Sequence, residues 1–151
     1  MGIDIGKSFK VAMIPIAILV AIGIFSAIVG AIPVLNLLMC LVGIPLTLVS
    51  LVVTAWSGYK AVKEAQMDLV GGAVTGGLTA LVAGVINGVV SFVLSLLGMG
   101  VGVATGGDVG GAALGAGVGV VFIVVGVVVG TIVGLVLGAI GAFVAGMGAK
   151  K

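Results

Sequence analysis

The sequence contains no histidine and no arginine, and its only cysteine is Cys40. Without histidine there is no side chain whose ordinary pKa suits acid–base catalysis near neutral pH. Histidine and cysteine are also the usual ligands of zinc, which excludes a metal centre of that kind. One cysteine cannot form a disulfide within the chain. We therefore expect no catalytic residues, no metal site and no cofactor.

Charge is scarce as well. Only 7% of the 151 residues are charged, whereas 62% are hydrophobic. A soluble domain is about 25% charged and about 45–50% apolar. The mean hydropathy of +1.59 indicates that lipid surrounds most of the chain. The formal charge of +2 is too small and too dispersed to indicate nucleic-acid binding.

The charged residues leave two long uncharged stretches. None lies between Lys10 and Lys60, and Asp108 is the only one between Asp68 and Lys150. A membrane-spanning helix needs about 20 apolar residues, so each stretch is long enough for two crossings. Transmembrane β-strands would alternate apolar and polar side chains, and these stretches do not alternate.

Breaks within the two stretches define the predicted elements. Proline and asparagine at positions 33 and 36 favour a turn, and the run 98–119 is dense in glycine. We predict an all-α, polytopic transmembrane four-helix bundle that forms one domain, 1–151. The predicted helices are 11–30, 35–56, 69–97 and 117–147, with a connection at 57–68 and a glycine-rich outer loop at 98–116. The glycine-rich run is an exposed loop, a re-entrant segment or an early start of the fourth helix.

The lysines predict the orientation. All six lie in the N-terminal segment, the 57–68 connection or the C-terminal segment. Four crossings place these three segments on one side of the membrane. The positive-inside rule assigns that side to the cytoplasm. We therefore expect a multi-pass plasma-membrane protein with both termini cytoplasmic.

Several residues are expected to mark the cytoplasmic interface. Amphipathic aromatic and lysine side chains are typical of this level of a membrane protein, and the expected anchors are Trp56, Tyr59, Lys60 and Lys63. Lys60 and Glu64 are one helical turn apart and are expected to pair. Asp68 is a candidate cap for the third helix.

Small residues recur every four positions in the second half of the chain. The fourth predicted helix carries Gly126, Gly130, Gly134, Gly138, Ala142 and Gly146, and the third carries Gly72, Gly76, Ala80, Gly84 and Gly88. Residues four apart share nearly the same face of a helix, and small ones let two backbones approach closely in lipid. The rows predict glycine-zipper packing within the bundle or between copies. The alternative is that the glycines thin a pore wall or permit a gating movement.

A weakly polar row lies beside the glycines of the third helix. Its polar members are Thr75, Thr79, Asn87, Ser91 and Ser95. An asparagine facing lipid would be costly, so Asn87 is expected to make a hydrogen bond to another helix. The alternative is that the row lines the path of a solute.

Two function classes remain after these exclusions. Pumps and rotors place ionisable groups inside the membrane, whereas the acidic residues here lie near predicted ends or loops. The glycine pair before Asp108 lacks the lysine of a phosphate-binding loop, and we expect no enzyme. The favoured hypothesis is a structural or accessory integral membrane protein that assembles through glycine-rich helix faces. The alternative is a small oligomeric channel or carrier. The expected partners are membrane lipid and copies of the chain, or subunits of a larger membrane complex.

The middle third contains GYKAVK at 58–63 and DLVGGA at 68–73. These segments resemble small, uncharacterised four-span membrane proteins of archaea. The resemblance implies an archaeal plasma membrane. It implies no particular activity, because that family has none established.

Overall fold

The computed structural model describes residues 5–31, 33–104 and 109–147. Within these ranges the chain forms four α-helices and no strand. The helices are α1 (Ile5–Ala31), α2 (Pro33–Lys63), α3 (Leu69–Ala104) and α4 (Val109–Met147). The predicted all-α fold with four membrane-spanning helices is confirmed.

Each helix contains a segment that is long and apolar enough to cross a membrane. These segments are Gly6–Val29, Leu41–Lys63, Leu69–Leu97 and Gly119–Met147. Large apolar side chains cover their outer surfaces, and on α4 alone Val121, Val124, Val128, Ile132 and Val136 are all more than half exposed. Such a continuous apolar exterior is suited to hydrocarbon and not to water. The protein is a multi-pass integral membrane protein.

The helices are longer than the sequence predicted. The second helix does not end at residue 56 but continues to Lys63, so the connection predicted at 57–68 is reduced to residues 64–68. Ser57, Gly58 and Ala61 are buried in this added segment. Their packing against other helices outweighs the weak helix propensity of glycine and serine.

The predicted outer loop at 98–116 is also mostly helical. Residues 98–104 belong to α3 and residues 109–116 to α4, while 105–108 lie outside the described residues. The glycines of this run therefore do not end the helices, although each costs about 1 kcal/mol relative to alanine.

The bundle is built around α2 and α3. Each of these helices contacts the other three, whereas α1 and α4 do not touch in the part of the chain that the structure describes. The pair α3 and α4 has the most extensive contact. Every contacting pair of helices among the described residues therefore includes α2 or α3.

The interior of the bundle consists mainly of small side chains. The largest fully buried ones are Thr75, Thr79, Pro15, Ser8 and Ser57. In lipid there is no hydrophobic drive to bury large residues, and close contact between backbones takes its place. The bundle thus has small residues inside and large apolar residues outside.

Candidate functional site

The small-residue rows of α3 and α4 meet in the half of the bundle nearest the 64–68 connection. A Cβ added to Gly76 would lie 2.6 Å from the Cα of Gly138, and one added to Gly138 would lie 2.6 Å from the carbonyl oxygen of Gly72. Real Cβ atoms essentially never approach so closely. Farther along, Gly134 lies against Ala80. The two backbones are therefore in direct contact over these residues.

Helix α2 joins this contact through two glycines that the sequence analysis did not single out. A Cβ on Gly58 would collide with the carbonyl group of Gly138, and one on Gly141 would collide with the carbonyl oxygen of Ala55. We call Gly58, Gly72, Gly76, Gly138 and Gly141 the glycine junction. A sequence signal existed for α2, because Ser50, Thr54 and Gly58 are small residues four apart.

The other half of α4 packs differently. Gly84 and Gly88 of α3 contact the valine and isoleucine side chains of Val127 and Ile123. By contrast, a Cβ added to Gly126 or Gly130 would meet no heavy atom within 4 Å. We call Gly126 and Gly130 the open glycine face. Gly146, at the opposite end of the same row, also has open space beside it.

The polar row of α3 is divided between two environments. Thr75 and Thr79 are fully buried, and their hydroxyls donate to the carbonyl oxygens of Gly71 and Thr75, both at 2.8 Å. Ser91 and Ser95 are exposed on the outside of the bundle. The row does not line one continuous passage within a single chain.

Asn87 links α3 to α1. Its Nδ2 donates to the carbonyl oxygen of Leu19 at 3.2 Å, which is the expected interhelical hydrogen bond. A carbonyl oxygen only accepts, so Nδ2 must be the amide atom that faces Leu19. The other amide atom, Oδ1, is buried without a hydrogen-bond partner among the described residues. A Cβ on Gly23 would collide with the amide group, so this glycine makes room for Asn87.

A cleft of about 360 Å³ opens beside Asn87 between α1, α2 and α3. Its polar lining includes Ser26, Thr47 and Ser50. Thr47 donates to the carbonyl oxygen of Gly43 at 2.8 Å, and Ser50 donates to that of Leu46 at 2.9 Å. These two hydroxyl protons are engaged, so both oxygens offer the cleft hydrogen-bond acceptors without charge.

The expected interface residues lie together at the end of α2. The Lys60 ammonium lies 5.0 Å from the ring centroid of Trp56 and 3.3 Å from Oε1 of Glu64. The predicted pair of Lys60 and Glu64 is therefore present. Tyr59 and Lys63 are exposed beside them.

The 64–68 connection is tightly held. Asp68 accepts a hydrogen bond from the backbone N–H of Gly71 at 2.9 Å, which is the expected cap of α3. Gln66 has a positive φ of 52°, a left-handed conformation that stops α2. The sulfur of Met67 accepts a hydrogen bond from Ser8 at 3.7 Å and lies 3.9 Å from the hydroxyl oxygen of Thr75, whose proton is donated to Gly71. The connection is thus tied to both α1 and α3.

No family model matches this chain, and no curated protein or solved structure was found to be similar to it. The resemblance to archaeal membrane proteins therefore stays a prediction, as does the expectation that the chain is no enzyme. Among the described residues there is no group of three or more acidic, histidine or cysteine side chains that could hold a metal ion.

Proposed function

We propose that the protein is a structural or accessory membrane subunit that docks another helix on the open glycine face of α4. The occupant is a second copy of the chain or a subunit of a larger membrane complex. One contrast supports this proposal. Gly134 and Gly138 contact α3, whereas Gly126 and Gly130 in the same row have no neighbour within 4 Å.

Glycine is a poor residue for a surface that only meets lipid. It exposes backbone, offers no side chain for contact and disfavours helix by about 1 kcal/mol relative to alanine. The exposed neighbours Val129 and Val133, each three residues beyond a glycine, leave the two glycines at the floor of a groove. A groove of this kind allows another backbone to approach, as the glycine junction does inside the chain.

The test is a double substitution on the open glycine face, Gly126→Leu with Gly130→Leu. The matched control is Val124→Leu with Val128→Leu, which has the same spacing on exposed valines of another face. We expect the glycine variant to become monomeric in lipid nanodiscs, as measured by native mass spectrometry, while the control keeps the wild-type mass. A monomeric wild-type protein bound to no other subunit in its native membrane would refute the proposal.

We further propose that the lysine-bearing end faces the cytoplasm, with both chain termini on that side of the plasma membrane. Lys10, Lys60 and Lys63 occur at the start of α1 and the end of α2, which lie at one end of the bundle. The positive-inside rule supports this orientation.

A second candidate function is a small channel or carrier. The observation that favours it is the cleft beside Asn87, whose lining carries uncharged polar groups and lies about 27 Å along α3 from Leu69 at 1.5 Å per residue. Solute flux into liposomes that Asn87→Leu abolishes, but Ser95→Ala leaves unchanged, would establish this function. Absence of flux for water, small polyols and monovalent cations would dismiss it.

A further inference from the structure

We propose that the cleft between the start of α1 and the 64–68 connection binds the phosphate group of an anionic membrane lipid. The cleft has a volume of about 310 Å³. Lys7, Lys10 and Val11 line it from α1, and Glu64, Ala65 and Gln66 line it from the opposite side. We call it the headgroup cleft.

The charges at this end favour an anion. Glu64 is paired with Lys60 at 3.3 Å, and the Asp68 carboxylate accepts the hydrogen bond that caps α3. Both acidic groups of the connection are thereby engaged within the chain. Lys7 and Lys10 both line the cleft, and the ammonium-bearing side chain of Lys10 is exposed there. Ammonium groups next to a membrane surface attract anionic lipids.

The depth of the cleft suits a lipid headgroup. The apolar segment of α1 begins at Gly6, and that of α2 ends at Lys63. The cleft therefore lies where hydrocarbon gives way to the phosphate layer. Met13 and Ile14 are exposed on α1 about one turn beyond Lys10. They provide an apolar surface for the acyl chains of the same lipid.

The backbone of Gln66 provides an independent observation. Its φ of 52° is the only positive value for a non-glycine residue among the described residues. Glycine normally occupies such a position, because a side chain is disfavoured there. Gln66 is exposed and lines the headgroup cleft, and its side-chain amide N–H is able to donate to a phosphate oxygen. Strain kept at a residue that lines a cleft points to a role for its side chain.

The anchoring of the connection fixes this geometry. Met67 accepts a hydrogen bond from Ser8 of α1, and its sulfur lies 3.9 Å from the hydroxyl oxygen of Thr75 of α3; Ser8 and Thr75 are both fully buried. These contacts hold the neighbouring Gln66 opposite α1. The cleft is therefore formed by the fold before any lipid arrives.

The experiment measures binding of phosphatidylglycerol and phosphatidylcholine to the full chain by native mass spectrometry in detergent. We expect tighter binding of phosphatidylglycerol, a preference that weakens as ionic strength rises. Lys7→Gln and Lys10→Gln should each weaken phosphatidylglycerol binding about fivefold, the factor expected for one lysine near an anionic surface. Gln66→Gly should weaken binding while the protein stays at least as resistant to heat.

Lys63→Gln is the matched control, because Lys63 lies at the same end of α2 but does not line the cleft. It should change the dissociation constant less than twofold. Equal effects of Lys10→Gln and Lys63→Gln would overturn the proposal and indicate only general attraction by positive charge. Displacement of the lipid by inorganic phosphate would also overturn it, because the site would then serve a soluble anion.

Discussion

Gly76 and Gly138 place the backbones of α3 and α4 in direct contact, because a Cβ on Gly76 would lie 2.6 Å from the Cα of Gly138. The atoms that a new methyl group meets belong to the backbone, so no side chain can rotate away. Gly76→Ala should therefore lower the free energy of unfolding by about 1–3 kcal/mol, the usual cost of overpacking. Steric trapping in bicelles measures this difference.

The matched control for this prediction is Gly126→Ala on the same pair of helices. Its Cβ meets no heavy atom within 4 Å. The monomer should keep its stability or gain up to about 1 kcal/mol from the better helix propensity of alanine. Equal losses for both variants would contradict the contact described at the glycine junction.

Substitutions at Asn87 and Gly23 should have coupled effects on the free energy of unfolding. Gly23→Ala forces a methyl group into the space of the Asn87 amide and should destabilise the protein by about 1–3 kcal/mol. Asn87→Ala removes the amide, so Gly23→Ala should cost much less in that background. A double-mutant cycle on the free energy of unfolding measures the coupling. Additive effects would show that the two residues do not meet.

Asp68→Ala should weaken the start of α3. The substitution removes the oxygen that accepts the N–H of Gly71, and loss of such a cap costs about 0.5–2 kcal/mol. Asp68→Asn keeps a hydrogen-bond acceptor at the same position, and its stability should be close to that of the wild type. Thermal unfolding in detergent, followed by circular dichroism, compares the three proteins. A similar loss in both variants would point to the charge and not to the cap.

Gln66→Gly should raise stability. Glycine adopts a φ of 52° without the steric cost of about 1–2 kcal/mol that other residues bear. Part of this gain is offset by the greater freedom of glycine in the unfolded chain. We expect a net increase of about 0.5–1 kcal/mol in the free energy of unfolding. Gln66→Ala is the control, because it shortens the side chain without relieving the backbone.

The orientation can be tested by cysteine labelling in a Cys40→Ser background. Lys63→Cys and Lys150→Cys should react with a membrane-impermeant maleimide only in inside-out vesicles. Thr105→Cys, in the predicted outer connection, should react in intact cells. This pattern follows from the positions of the lysines in the sequence and the positive-inside rule. Labelling of positions 63 and 105 from the same side would be incompatible with four crossings.

Much of the fold follows from simple features of the sequence. The two gaps in charge gave the correct number of spanning helices, because about 30 Å of hydrocarbon sets a minimum helix length. Asp68 was recognisable as a cap from its position before an apolar run. Lys60 and Glu64 were recognisable as a pair, since residues four apart are neighbours on a helix. Each of these inferences depends on local geometry alone.

The packing of the glycine rows could not be predicted from their spacing alone. Four residues advance a helix by about 400°, so a row at this spacing drifts about 40° per step. Gly126 and Gly146 therefore point in directions about 160° apart, and one partner helix cannot contact both. The drift explains why Gly138 is packed while Gly126 is open, and why Thr75 is buried while Ser95 is exposed. The sequence alone does not say where along the row a partner crosses.

The contribution of α2 was missed for a related reason. Gly58 lies in the connection predicted at 57–68, where no helix contact was expected. Its contact with Gly138 exists only in the assembled bundle. The left-handed Gln66 was equally unpredictable, because glycine or asparagine is the usual residue there.

The glycine junction also reduces the side-chain entropy that is lost when the helices pack together. Glycine and alanine have no rotamers to lose on burial, whereas a lysine or methionine loses about 1.5–2 kcal/mol of side-chain freedom. The three helices that meet at Gly58, Gly76 and Gly138 can therefore close on one another without freezing side chains. The valines and isoleucines outside remain in contact with fluid lipid. The helices thus pack through residues that have no side-chain motion to lose, and the side chains that do move lie on the lipid-facing surface.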